Sequence, residues 1–196
     1  MAGDVGNTVT RALTKDQKAR RIRLIEAARE LADEGGYAAV TMHDVADRAG
    51  VARATVYRYF ISKDHLLTEV AAAWARTVTA DVAALMPGGP PVERLATLLE
   101  RIVEVAAGEL RLTSAIVQGV TSDDPGVEDS RTALFALVRE RLSAAMGDPV
   151  PDRADIEVVL GHVLLAALVS LTALRQPVGE VRAMVATAAR LILGRR

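Results

Sequence analysis

Cysteine is absent from the sequence, which excludes disulfides and thiolate-ligated metal. Aromatic residues are scarce too, 3% of the chain against 51% hydrophobic residues overall. Any core must therefore be packed with Ala, Val and Leu, the composition of a helical globular protein. No stretch alternates with period two for long enough to make a strand, so the fold class is all-α. The histidines, His43, His65 and His162, are scattered, and HExxH, GxSxG and a phosphate-binding glycine loop are all missing. With no local His/Asp/Glu cluster there is no zinc ligand set either. The residues support neither an enzyme nor a cofactor. The N-terminal stretch MAGDVGNTVTRALTK lacks the apolar run of a signal peptide, which points to the cytoplasm. The one long apolar run, residues 158–174 (VVLGHVLLAALVSLTAL), is short for a membrane span, contains His162 and follows Glu157. A buried helix in a dimeric bundle explains it better than a membrane does.

The chain has 196 residues, enough for one large domain or a small domain joined to a larger one. Its formal net charge of −1 does not suggest a nucleic-acid binder. The distribution is more informative. Up to Arg29 there are seven basic residues, Arg11, Lys15, Lys18, Arg20, Arg21, Arg23 and Arg29, against Asp4, Asp16 and Glu26, a local excess of four. Such a basic end can serve as a footprint for phosphate, or simply be a solvated helix face.

Punctuation divides the chain into helices. Residues 1–14 read as a flexible arm. From 15 to 34 the apolar residues Ile22, Ile25, Ala28 and Ala32 recur at spacings of three and four, beside Leu24 and Leu31. Gly35-Gly36 is expected to end that helix. A long helix over 62–85 stops at Pro87-Gly88-Gly89-Pro90-Pro91, the clearest breaker in the chain. Further helices are expected over 92–107, 109–120 and from about 127 to 146. Two more follow the loop at 148–152, with Pro177 between them.

Between the first helix and the long one lies VTMHDVADRAGVARATVYRYFISKDHLL. Thr41 stands where an N-cap belongs, with Asp44 as the acidic partner of a capping box. Val45, Ala46 and Ala49 form an inward stripe, Gly50 supplies a sharp turn anchored by Val51, and a second short helix is expected over 52–59. This is a helix-turn-helix arrangement. On the second helix Val56 and Phe60 share one face, leaving Arg53, Ala54, Tyr57 and Arg58 on the other. A core-filling helix has no reason to expose arginines and tyrosines so densely. A recognition helix has: arginine grips guanine edges bidentately, Thr55 offers a methyl and a hydroxyl, and tyrosine hydroxyls reach phosphates.

The string Val45-Ala46-x-x-Ala49-Gly50-Val51, followed by Thr55-Val56-Tyr57-x-Tyr59-Phe60-x-Ser62-Lys63-x-x-Leu66-Leu67, resembles the DNA-binding domain of the TetR (tetracycline-repressor-like) family. The likeness covers about residues 20–70. It implies an N-terminal three-helix DNA-binding domain (15–67) and a larger C-terminal helical domain (68–196) that binds an effector and dimerises. It further implies that Arg53, Ala54 and Thr55 face bases, and that Tyr57, Tyr59 and Lys63 hold phosphates, together with Thr41. The partners would be a double-stranded DNA operator, a second copy of the chain and a small-molecule effector. Two positions depart from the family pattern: Ala52 replaces a Ser or Thr N-cap, and Ala54 replaces a frequent glycine.

Past Lys63 the pattern fades. The run IEVVLGHVLLAALVSLTAL is apolar nearly all round, and Gly161, Ala166, Ala167 and Ser170 are small enough for close helix approach. With the amphipathic segment at 180–194 it could form a four-helix bundle with its counterpart in a homodimer, or an ordinary monomeric core. Trp74 and Phe135 are the remaining aromatics. A pocket between the middle helices would thus be lined mainly by aliphatic residues and suit an aliphatic or alicyclic effector better than a planar cation. Gln118, Arg139, His162 and Arg175 are the candidate polar anchors, each with an ordinary structural reading as core histidine or surface group. Other readings of the whole chain are an effector-independent regulator or activator, and a helical small-molecule carrier that never meets DNA.

Overall fold

The structure is a computed structural model that describes residues 14–84, 88–147 and 150–194. Among these residues it contains nine α-helices and no strand. The arm expected over 1–14 lies outside the described residues except for Thr14, which belongs to the first helix. Its hydroxyl accepts from Gln17 N while the Gln17 side chain accepts from Thr14 N, a reciprocal capping box that starts α1 (Lys15–Ala39).

Leu24, Ile25, Ala27, Ala28, Leu31 and Ala32 make the inward stripe of α1. Ile22, expected to join it, is 64% exposed: it falls outside the arc where later helices cover α1. Nor does the glycine pair stop the helix at residue 34. Gly36 takes φ 69°, ψ −160° and kinks the chain, after which helical bonding resumes to Ala39. That short extension carries Tyr37 toward the start of a later helix.

The helix-turn-helix pair is α2 (Met42–Arg48) and α3 (Arg53–Tyr57). A long α4 (Lys63–Ala84) leads into α5 (Pro91–Gly108) and α6 (Leu110–Val120), and a single 3-10 turn at Pro125–Val127 precedes α7 (Glu128–Met146). The last two are α8 (Arg153–Thr172) and α9 (Val178–Leu193). Pro177 separates them as expected.

One apolar core runs through both halves, from Leu24, Phe60 and Leu67 to Leu99, Leu112 and Leu160, all fully buried. The halves are joined by α6, which packs on both α1 and α4 while also meeting α8. Gly119 allows that approach: a Cβ there would lie 2.6 Å from Leu67 Cβ. By length and composition α8 is apolar enough to cross a membrane, but one side of it packs on α5, α6, α7 and α9. Gly161, Ala167 and Ser170 lie on that buried side, and Ala166 is exposed.

Candidate nucleic-acid interface and effector cavity

Local chemistry explains the entry to α2. The Thr41 hydroxyl accepts from Asp44 N at 3.1 Å and also lies 2.5 Å from the Asp44 carboxylate, to which it donates. Asp44 therefore holds the Thr41 hydroxyl rather than reaching back to the capping backbone. Arg48, at the other end of α2, donates from both terminal nitrogens to Glu34 at 2.7 Å each. This two-pronged bond latches α2 to α1 and holds the Glu34 carboxyl below its ordinary range.

The second helix is shorter than expected, five residues instead of about eight, with Tyr59 and Phe60 in the turn beyond it. Ala52 stands at its N-cap without any side-chain bond to the helix, so the missing hydroxyl is real. The helix is held instead from behind: Val56 and Phe60 are fully buried, and the Arg21 guanidinium lies 5.4 Å from the Phe60 ring centroid. Arg53, Ala54, Tyr57 and Arg58 face solvent and Thr55 is half-buried. The Arg53 guanidinium lies 5.6 Å from the Tyr57 ring centroid and 3.2 Å from its hydroxyl, which orients both side chains on one exposed face.

Tyr59 differs. Its hydroxyl is shut off from solvent with no partner among the described residues, and the ring packs on the core. The expected phosphate contact would require that ring to turn outward. The chain leaves helical geometry after Tyr57, so Tyr59 follows the inward path of Phe60.

At the start of α4, Ser62 Oγ accepts from His65 N at 3.1 Å, as an N-cap should. Lys63 is half-buried, its amine 3.5 Å from the Tyr37 ring centroid, and burial pushes its pKa down. A lysine at a helix N-terminus opposes the helix dipole, and an incoming anion would relieve that opposition. Tyr37 in turn donates to Asp64 at 2.7 Å, and Ser122 donates to the other Asp64 oxygen at 2.6 Å. The bond to Asp64 raises the Tyr37 pKa to about 12. Sequence reasoning missed this knot, which ties α1, α4 and the loop after α6, because its members lie up to 85 positions apart.

In the larger domain a cleft lies among α4, α5, α6, α7 and α8. It holds about 800 Å³ of atom-free space including its mouth, with walls almost wholly of Leu, Val, Ile and Ala. Trp74 and Phe135 line it, as expected of them. The four polar anchors do not. Gln118 is exposed and bonds back to Ser114, because it occupies the face of α6 opposite Ile116 and Val120. Arg139 and His162 border a separate hollow, with about 510 Å³ of atom-free space including its mouth, on the outer side of α7 and α8, where His162 stacks on Phe135 at 5.8 Å. Arg175 lies in a third hollow at the α8–α9 turn, beside Arg111. The polar residues that do line the cleft are Thr79 and Arg141, neither singled out from the sequence.

A solvent-facing polar α3 backed by a buried edge, continued by α4 into a helical C-terminal domain, defines a helix-turn-helix DNA-binding regulator. The family model described as bacterial regulatory proteins, tetR family, matches residues 24–70. A second model, tetracyclin repressor-like C-terminal domain, matches residues 88–192. The chain belongs to the TetR family of bacterial transcriptional regulators. It is 31% identical over 181 residues to the HTH-type transcriptional repressor KstR of Mycolicibacterium smegmatis, covering 91% of this chain and 89% of the relative. Among solved structures, a TetR transcriptional regulator from Rhodococcus sp. RHA1 superposes with a TM-score of 0.83 at 28% identity, over 92% of this chain and 99% of that one. Thermus thermophilus FadR, a TetR-family repressor solved with lauroyl-CoA, shares the fold with a TM-score of 0.68 at 22% identity, over 88% and 93%.

Proposed function

We propose that the protein is a cytoplasmic, homodimeric repressor that leaves a palindromic operator when a small, mainly apolar effector enters the cleft. In this reading α3 enters the major groove with Arg53, Ala54 and Thr55 toward base edges, and Thr41, Tyr57 and Lys63 hold flanking phosphates. Tyr59 joins them only if its ring swings outward. Dimerisation uses the uncovered sides of α8 and α9, where Val158, Val159, Met184 and Leu191 remain exposed in the single chain. Such residues on the last two helices suit a two-fold four-helix bundle.

The observation that carries the effector part is a shared helix. α4 starts shortly after α3 in the chain, with Lys63, and two to four turns on lines the cleft with Ala71, Trp74 and Val78. The indole N–H of Trp74 donates to Glu109 at 2.7 Å, and Glu109 also meets Arg29 of α1 at 3.5 Å. A molecule that spreads the cleft therefore acts on α4 and α1, and reaches α3 through α2, which packs on both α1 and α3. It shifts the population only to the extent that it binds the spread conformer better than the DNA-binding one.

Anisotropy titration against DNA from the gene's own promoter, with random duplex as control, tests the DNA-binding arm. Specific affinity above random DNA is expected, and Arg53→Ala should lower it by about 1–3 kcal/mol through loss of a base contact. Equal affinity for both duplexes, unchanged by Arg53→Ala, refutes the assignment.

A further inference from the structure

Phe135 is one of two phenylalanines in the chain, and it stands between two open spaces. On one side is the cleft, with its almost wholly aliphatic walls. On the other is the outer hollow, bordered by Thr132, Arg139, Glu157, Val158 and His162. Phe135 and Gly161 are the residues that both linings share. Gly161 of α8 has no side chain, and a Cβ built there would find Val138 Cγ1 no nearer than 4.0 Å, so the gap beside it is open. The Phe135 ring is therefore what divides the two spaces.

A close-packed core holds a ring in place through contacts on every side. Phe135 lacks them: it is half-buried, with space toward the cleft and toward the hollow. Its outer anchor is the His162 imidazole, stacked on it with the planes 14° apart. His162 is oriented by its own helix, with Nδ1 2.8 Å from Val158 O. Such a stack favours one ring position by only about two- to tenfold. The hollow leaves room for the ring to slide off the imidazole. The two spaces also differ in chemistry. The cleft accepts an apolar body, while the hollow offers a cation from α7, Arg139, and a carboxylate from α8, Glu157, with no salt bridge between them. A hydroxyl accepts from the first and donates to the second, whereas an acid would meet the charge of Glu157.

We infer that Phe135 is a movable partition: an apolar molecule too long for the cleft displaces the ring and delivers a neutral polar end, such as a hydroxyl, to Arg139 in the outer hollow. This rests on the proposal that the cleft is the effector site, and it adds a second compartment and the residue that guards it. The partition also gives Arg139, remote from the cleft while the ring is in place, a contact with the far end of the ligand.

The scarcity of aromatics supplies the reporters. Trp74, the chain's single tryptophan, lines the cleft and reports its occupancy by fluorescence. Labelling the full-length protein with para-fluorophenylalanine gives two fluorine resonances, from Phe60 and Phe135, which Phe135→Leu assigns. Phe60 is fully buried and serves as the internal reference. Dodecanol is the probe, titrated until the Trp74 signal saturates. A ring that stays in place would be covered by the ligand, and its resonance would respond less to exchanging H2O for D2O. A displaced ring should respond more, while Phe60 stays unresponsive. Arg139→Leu should weaken dodecanol binding about fivefold, the loss of one hydrogen bond. If dodecanol saturates Trp74 but the solvent response of Phe135 falls or holds, or if Arg139→Leu binds dodecanol as tightly as the wild type, the partition is refuted and the apolar cleft stands. If dodecanol leaves Trp74 fluorescence unchanged, the effector site itself is misplaced and the partition falls with it. Melting curves confirm that the Arg139→Leu and Phe135→Leu proteins are folded before they are measured.

Discussion

Gly119→Ala places one methyl group at a close contact between α6 and α4, where the DNA-binding half meets the larger domain. The new Cβ would stand 2.6 Å from Leu67 Cβ and 3.3 Å from Asp64 O, where ordinary contact begins at 3.4 Å. Neither neighbour can rotate away, because one is a backbone oxygen and the other is fixed directly to the backbone of α4. The helices must therefore separate by about 0.8 Å, and α4 moves as a body. Overpacking of this kind costs about 1–3 kcal/mol, while alanine recovers up to about 1 kcal/mol of helix propensity over glycine. The net expectation is a loss of about 1–2 kcal/mol, or roughly 2–8 °C in Tm for a chain of this size. Because α4 carries Lys63 and packs on α1, which in turn packs on α2, operator affinity should fall as well, without any contacted residue being changed. Gly179→Ala is the control, since a Cβ there meets nothing within 4 Å, and its Tm should hold or rise slightly. Scanning calorimetry and anisotropy read the two effects. A Gly119→Ala protein as stable as the wild type with unchanged operator affinity would refute the claim that this contact sets the position of α4.

Four further outcomes are expected. Lys63→Ala should flatten the dependence of log affinity on log salt by about one unit if the amine leaves Tyr37 to neutralise a phosphate, read from titrations at several salt concentrations. Phe60→Ala should cost about 3–5 kcal/mol, because the ring is fully buried, and should abolish specific binding, with circular dichroism reporting the stability loss. Leu191→Glu with Met184→Lys should shift the protein toward monomer in sedimentation experiments if the uncovered side of α9 is the dimer face. The Tyr37 pKa is raised above its ordinary value of 10 to about 12, so the folded form retains this proton more tightly than the unfolded form. That contribution is complete below pH 10 and is lost as pH rises through 12, so denaturant melts of Tyr37→Phe should show a shallower decline over that window.

The parts of the interface that local rules govern were legible in advance. Thr41 and Ser62 cap their helices through bonds to backbone amides three residues away, and three-residue geometry is visible in a linear string. The buried status of Val45, Val56 and Phe60 follows from spacing, and so does the solvent exposure of Arg53 and Tyr57. Ala52 was correctly read as a cap without a capping group. Spacing misled where its assumed geometry changed. The resemblance implies a phosphate contact at Tyr59, yet the helix ends at Tyr57 and the Tyr59 hydroxyl lies out of solvent in this structure. Ile22 obeyed the period of α1 and still faced solvent, since no later helix covers that part of its surface.

In the larger domain the string specified helix bounds, an aliphatic cleft and two aromatic wall residues, since breakers and composition are properties of the string. Which arginine of α7 lines the cleft was beyond it. Arg139 and Arg141 sit two residues apart on α7, about 200° around the helix axis, and therefore on nearly opposite faces. Both faces of α7 mix charged and apolar residues, so neither announces itself as inward. Which arginine meets the cleft depends on how α7 rolls between α4, α5 and α8, three helices drawn from distant parts of the chain. That roll is set by packing all of their side chains together, and it puts Arg141 along the cleft and Arg139 in the outer hollow.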